Sequence, residues 1–237
     1  MKKFKWFLLT SIVLCHTAYA DTNIEIIRKN LGQRIGQLEK INEIKASPMP
    51  GLYEIRVNQA EIYYTDARGD FLIQGNLIDT QRKLNLTEER IEKLTAIEFK
   101  SLPFKDAISI VRGDGKRQLA VFEDPNCGYC KKFERDIKKI NNITVHLFLV
   151  PILGPDSVKK SKDIWCAKDP AKAWQTWMID NKKPTPGECD TSALDRNVAL
   201  SQEFKINGTP TLIFSDGSRV PGAISSAEVE KRLNVIR

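Results

Sequence analysis

No stretch of this chain is both long and apolar enough to suggest a membrane span. The run from Phe7 to Leu14 falls well short of the ~20 residues a helix needs to cross a bilayer. Internal repeats and low-complexity tracts are missing too. Nor is there a basic stripe interleaved with aromatics: the formal charge of +7 is spread along the chain. That distribution gives no electrostatic footprint for nucleic acid, which is not an expected partner. With 41% hydrophobic and 28% charged residues in 237, the composition excludes disordered, collagenous and polytopic classes. One or two soluble domains are left.

Cysteine is scarce, five residues in all, and the first belongs to a segment of its own. Residues 1–20 read MKKFKWFLLTSIVLCHTAYA. A lysine-rich start, an apolar run, and small residues Ala18 and Ala20 around Tyr19 predict a secretory signal cut after Ala20, and hence an exported mature protein. A lipoprotein signal would need a small residue where Leu14 stands. Cys15 is therefore expected to leave with the signal, together with Lys2, Lys3 and Lys5, and the positive excess shrinks further. Cys127, Cys130, Cys166 and Cys189 remain, an even number in an exported chain.

Along the mature chain, Ile24, Ile27, Leu31, Ile35, Leu38, Ile41 and Ile44 recur every three or four residues, which predicts one helix ended by Ser47-Pro48-Met49-Pro50-Gly51. Extended runs are expected at 52–57, 61–65 and 71–78, the last two flanking a hairpin turn at 66–70. So small a module, with no cysteine and no evident metal cluster, seldom buries enough apolar surface alone. It is expected to dimerise, with joined sheet edges as one route. Thr87, Glu88, Glu89 and then Ile91, Leu94, Ile97 and Leu102 predict a connecting helix ended by Pro103. Beyond about residue 106 a strand at 118–122, a helix at 127–140 and a strand at 143–150 read as a βαβ unit. A helix over 165–180, a loop over 181–189, a hairpin around Ser215-Asp216-Gly217-Ser218, and a capping box of Ser225 and Glu228 opening a last helix complete the reading.

The chemistry is concentrated in Asp124-Pro125-Asn126-Cys127-Gly128-Tyr129-Cys130, a C-x-x-C where a strand meets a helix. Cys127 at the helix start would face unpaired backbone N–H groups and the positive dipole end, which favour a thiolate. Cys130, one turn further in, would be shielded and would keep its proton. That asymmetry suits an attacking Cys127 and a resolving Cys130, with Gly128 and Tyr129 between them tuning the pair. A structural disulfide across so short a loop would restrain the unfolded chain little. A four-cysteine zinc site would want a second close pair, so neither metal nor cofactor is expected. Reading Cys127 and Cys130 as redox-active leaves Cys166 and Cys189 as a structural disulfide.

The segments VFEDPNCGYC, WCAKD around Cys166, the later Cys189 and NGTPTLIFSDGSRVPG together resemble the DsbC/DsbG family of periplasmic thiol:disulfide isomerases. The likeness covers essentially the whole mature chain. It implies an α+β protein: a signal peptide over 1–20, a cystatin-like dimerisation domain over 21–82, a helical linker over 83–105, and a thioredoxin-fold catalytic domain with a helical insertion over 106–237. The resemblance also assigns Pro210 as a cis-proline facing the active-site cysteines, with Thr209 before it as a substrate-binding position. Its implied activity is isomerisation of non-native disulfides in exported proteins, with chaperone activity besides. The implied partners are misfolded disulfide-containing chains, a membrane thiol reductase of the DsbD type as electron donor, and a second copy of the chain. A DsbG-type reductase that protects single cysteines, and a holdase that needs no cysteine chemistry, are the alternatives. Val121 stands six positions before Cys127, where thioredoxin has a buried acid. The proton of Cys130 is therefore left to Glu123, Asp124 or water.

Overall fold

The computed structural model describes the backbone of residues 16–236 apart from 39, with side chains from Thr22 onward apart from that of Gln37. The expected signal segment lies outside the described residues up to position 15. Its last five residues open the first helix, α1 (His16–Arg34). The chain divides into two compact units, Met1–Leu94 and Thr95–Arg237.

In the first unit α1 buries Ile27 and Leu31, one helical turn apart, against a four-stranded antiparallel sheet. Its strands β1 (Ile41–Ala46), β2 (Leu52–Val57), β3 (Glu61–Asp66) and β4 (Leu72–Ile73) lie in chain order. The helix expected through Ile44 thus stops at Arg34, and Ile41 and Ile44 belong to a strand. A spacing of three normally puts strand residues on opposite faces. Here the β1–β2 register shifts between Ile41 and Glu43, and this irregularity lets both isoleucines join one core with Leu38, Tyr53, Ile55 and Val57. A bulged strand therefore imitated a helical period. The expected strand over 71–78 is also divided. Its start forms β4, and its end forms β5 (Ile78–Asp79), which pairs with β6 (Leu84–Asn85) in a separate ribbon. Between them the Leu77 N–H donates to the Thr87 hydroxyl at 2.8 Å, which also meets the Tyr64 hydroxyl at 2.5 Å. Thr87 lies in α2 (Leu86–Leu94).

The connecting helix expected to reach Leu102 ends at Leu94, and short 3-10 turns follow at Phe99–Ser101 and Phe104–Asp106. The apolar residues beyond Leu94 serve the second unit. Ile97, Phe99 and Leu102 are buried with Ala120, Phe122, Phe148, Val150, Ile206 and Ile213, and the Ile97 N–H donates to the Gly217 carbonyl at 3.0 Å.

The second unit is built on β7 (Ile108–Arg112), β8 (Arg117–Glu123), α3 (Gly128–Ile137), β9 (Ile143–Leu149), α4 (Pro155–Trp165), α5 (Pro170–Asp180), α6 (Ser192–Glu203), β10 (Thr211–Phe214), β11 (Arg219–Pro221) and α7 (Ser226–Val235). The sheet order is β11-β10-β8-β9-β7. Strands β8 and β9 run parallel around α3, and the other neighbours are antiparallel. Burial from Leu119 to Glu123 is continuous, as a strand covered on both faces requires. Leu119 and Val121 join the cluster of Phe133, Ile137, Trp174, Met178 and Val229. Ala120 and Phe122 point to the opposite cluster. The single helix expected over 165–180 is two: Trp165 closes α4, and Asp169 caps α5, accepting the Lys172 N–H at 3.0 Å with Pro170 in the first turn.

Candidate active site

Strand β8 delivers Glu123 and Asp124 to its carboxyl end, and α3 begins four residues later with Cys127 as its N-cap. The helix forms there because Phe133 and Ile137, one turn apart, are buried against the sheet, and because the Cys127 sulfur accepts an otherwise unpaired N–H of the first turn, that of Cys130, at 3.2 Å. The Cys127 thiol in turn lies 3.2 Å from the Thr209 carbonyl, which can accept from it. Thr209 precedes Pro210 through a cis bond, and the Pro210 carbonyl accepts the Gly222 N–H at 2.8 Å. The cysteine pair and the Thr209-Pro210 pair are thus brought together from positions eighty-two residues apart.

Cys127 and Cys130 are both free thiols, yet their surroundings differ. Cys127 is lowered from the ordinary thiol value of 9.0 to about 6. The hydrogen bond with the Cys130 side chain is the main cause, aided by the Thr209 side chain and the backbone N–H groups of Cys130 and Tyr129, and opposed by burial. Cys130 is fully buried. Burial first, then the hydrogen bond with Cys127 and the charge of Glu123, push its thiol far up. Tyr129 between them is 69% exposed, and nothing lies within 4 Å of where a Gly128 Cβ would stand. The two intervening residues therefore face outward, and the sulfurs face the protein.

The loop before Cys127 is braced by Asp124, which the sequence offered only as a proton acceptor for Cys130, and by side chains of α4 and α5. Asp124 is buried with its carboxylate fully engaged. One oxygen accepts the Asn126 N–H and the Ser157 hydroxyl, each at 2.7 Å, and the other accepts the Ile152 and Leu153 N–H groups at 2.8 and 2.9 Å. Trp177 on α5 donates its indole N–H to the Pro125 carbonyl at 2.6 Å. The ammonium groups of Lys131 and Lys160 both lie over its ring, 3.9 and 4.4 Å from the centroid. Lys160 also donates to the Asn126 side chain at 2.8 Å. Lys160 gave no signal in the sequence, because only the fold brings α4 and α5 to this loop.

Glu123 contrasts with its neighbour. It is completely buried, and neither carboxyl oxygen finds a hydrogen-bond partner among the described residues; the same is true of Glu134. Burial, then the nearby Glu134 charge, hold the Glu123 carboxyl well above the usual carboxylate range. Cys166 and Cys189 form a disulfide with an S–S distance of 2.04 Å and Cα atoms 5.4 Å apart. His146 is half-buried in β9, against the Phe104 ring at 4.4 Å and the Gln118 side-chain oxygen at 2.6 Å. Among the described residues no cluster of three or more acidic, histidine or cysteine side chains could hold a metal ion.

Comparison with known proteins matches residues 104–236 to the thioredoxin-like domain and residues 16–88 to the disulfide bond isomerase protein N-terminal domain. The probable thiol:disulfide interchange protein DsbC of Bordetella pertussis is 41% identical over 213 residues, covering 90% of this chain and 75% of the relative. The thiol:disulfide interchange protein DsbC of Escherichia coli is 30% identical over 237 residues, covering 97% of this chain and 95% of that one. Among solved structures, a disulfide interchange protein from Neisseria gonorrhoeae superposes with a TM-score of 0.54 at 38% identity, over 56% of this chain and 97% of its own.

Proposed function

From the premise that this chain belongs to the DsbC family of thiol:disulfide interchange proteins, with a thioredoxin-like domain and a DsbC-type N-terminal domain, we propose that it is an exported disulfide isomerase that works through Cys127 and Cys130. The observation that carries this is the thiol of Cys127, lowered to about 6 at the N-cap of α3 and beside the Thr209 carbonyl.

The Cys127 thiolate attacks one sulfur of a non-native substrate disulfide. An enzyme–substrate S–S bond forms, the substrate S–S bond breaks, and the freed substrate sulfur leaves as a thiolate. That thiolate attacks elsewhere in its own chain, and a later attack on the mixed disulfide releases Cys127 reduced. Where no substrate sulfur arrives, Cys130 attacks Cys127 and frees the stalled chain. Thr209, held beside Cys127, offers backbone groups that can pair with an extended substrate strand. An electron donor must keep Cys127 reduced in an oxidising compartment, and a membrane thiol reductase of the DsbD type fits that need.

The N-terminal unit is proposed to dimerise. Phe71, Ile73 and Ile78 are 71%, 50% and 56% exposed on its shortest strands and their approaches, the kind of apolar edge a second copy would cover. Periplasmic location, with cleavage after Ala20, is part of the same proposal, as is a chaperone activity.

Reactivation of scrambled ribonuclease is the test. Catalysis by the wild type, lost in Cys127→Ser and partly retained in Cys130→Ser, supports the isomerase. Aggregation suppression unchanged in Cys127→Ser, with no effect of either substitution on refolding, would favour a holdase. A wild type that reduces single oxidised cysteines without reactivating ribonuclease would favour the DsbG-type reductase.

A further inference from the structure

Two like charges are held together beside the cysteine pair. Lys131 follows Cys130 on α3, Lys160 lies on α4, and their ammonium groups share one face-forming group, the Trp177 ring, 3.9 and 4.4 Å from its centroid. That indole is itself fixed, since it is buried and donates its N–H to the Pro125 carbonyl at 2.6 Å. Lys160 also donates to the Asn126 side-chain oxygen at 2.8 Å, so its charge stands against the residue that precedes Cys127. Among the described residues, the partners of the Lys131 ammonium are uncharged: the ring and the Asn181 side-chain oxygen at 2.7 Å. Its charge is thus held in place without being neutralised.

We propose that Lys131 and Lys160, gathered on the Trp177 ring, form an anion subsite beside Cys127 that gives the exchange reaction a preference for substrate disulfides flanked by aspartate or glutamate. The inference rests on the exchange reading given above and adds to it a substrate class. Burial, then the charges of Lys160 and Arg135, lower Lys131 from the ordinary lysine value, so the fold works against this cation and an arriving carboxylate would relieve it. Asp156 is the carboxylate in contact with the cluster, and it is already engaged, paired with Lys160 and accepting the Asn126 amide at 2.7 Å. Lys183 adds a further positive charge near Asp156.

Hydrogen bonds already lower Cys127, which leaves the two ammonium groups for a partner. Long lysine side chains normally lose rotamer freedom when they bind an anion; here the ring and the Asn126 and Asn181 side chains hold them beforehand. The reach is short as well. An extended chain advances about 3.3 Å per residue, so a carboxylate one or two positions from the attacked cysteine stays within a few ångströms of it. The subsite therefore reads the neighbours of the substrate sulfur and not the remote chain.

Two symmetric peptide disulfides, identical except that the residues flanking each cysteine are Glu in one and Gln in the other, supply the test. Each is mixed with the reduced full-length mature protein, and the first peptide thiol released, measured by acid quench and mass spectrometry, reports attack by Cys127. Each rate is divided by that of mercaptoethanol with the same peptide, which removes the intrinsic difference between the two disulfides. The ratio of the two normalised rates also cancels any change in the amount or ionisation of Cys127, so a partly folded variant is still informative. The wild type should favour the Glu peptide. Lys131→Gln should lower that preference about two- to fivefold, the scale of one exposed ion pair, and Lys131→Glu should reverse it. About 1 M salt, where charges are screened within about 3 Å, should abolish it. A wild type without preference for the Glu peptide, or a preference equal in wild type and Lys131→Gln, overturns the subsite. A wild type that attacks neither peptide faster than mercaptoethanol does overturns the exchange reading itself, and the subsite with it.

Discussion

Cys127 and Cys130, three positions apart, sit on opposite sides of the ordinary thiol range, and the difference has consequences for stability as well as reactivity. Iodoacetamide alkylation of Cys127 against pH should show a midpoint near the value of about 6, with Cys130 unreactive throughout. A thiol lowered on folding stabilises the folded state fully above its unfolded value, and that contribution fades as pH falls through the folded one. The reduced protein should thus lose resistance to urea as pH drops from about 9 towards about 6, and Cys127→Ser should not show this dependence. Glu123 works in the opposite sense. A carboxyl raised by burial contributes fully below the ordinary carboxylate range, and its contribution is lost as pH rises through the raised value. Asp124→Ala would leave three N–H groups and the Ser157 hydroxyl without their acceptor, and should cost about 3 kcal/mol in urea unfolding. At this scale the sequence was readable where spacing carries the chemistry, as at Cys127 and Cys130. It was silent on which of Glu123 and Asp124 keeps a free carboxyl, because three of the four partners of Asp124 come from residues 152–157.

Among the elements, those with local signals were legible. The Ser225 hydroxyl caps α7, accepting the Glu228 N–H at 3.2 Å, and the β8–α3–β9 unit follows its apolar pattern closely. Elements whose identity depends on a partner were not. Strand β1 imitates a helix through its bulge, and β7 was not anticipated; it takes its place at the sheet edge by pairing with β9. The Asp169-Pro170 start signal was present in the sequence but lay inside a continuous apolar pattern running from Trp165 to Met178. The β10–β11 turn offers a test at this scale. Gly217 has φ of +85°, and a Cβ there would come within 2.7 Å of the Ile97 carbonyl. Gly217→Ala should cost about 1–3 kcal/mol and loosen the segment around Ile97, seen as faster amide exchange at Ile97 itself, whose N–H bonds to the Gly217 carbonyl.

For the molecule as a whole, a small helix-and-sheet module before a larger βαβ unit carrying the cysteine motif was legible from hydrophobic periodicity, and the thioredoxin-like character of the larger unit came from the family resemblance. Where one unit yields to the next was not, because Ile91, Leu94, Ile97 and Leu102 continue a single helical spacing although the structure divides them between two units, with Ile97 and Leu102 in the core of the second. The proposed dimer belongs to this scale too. The mature chain should sediment as a dimer, and Ile73→Glu with Ile78→Glu should shift it towards monomer while leaving the Cys127 alkylation curve in place. A monomeric wild type at micromolar concentration would remove the dimer from the account.

The burial of Ile97, Phe99 and Leu102 under the thioredoxin-like sheet also bears on how the molecule can be cut. A recombinant fragment begun at residue 106 would strip the cover from Phe122, Phe148 and Ile213 and should precipitate on purification. One begun at residue 95 should remain in solution, and limited trypsin digestion of the intact chain should spare the bond after Lys100, whose neighbours Phe99 and Leu102 are locked inside.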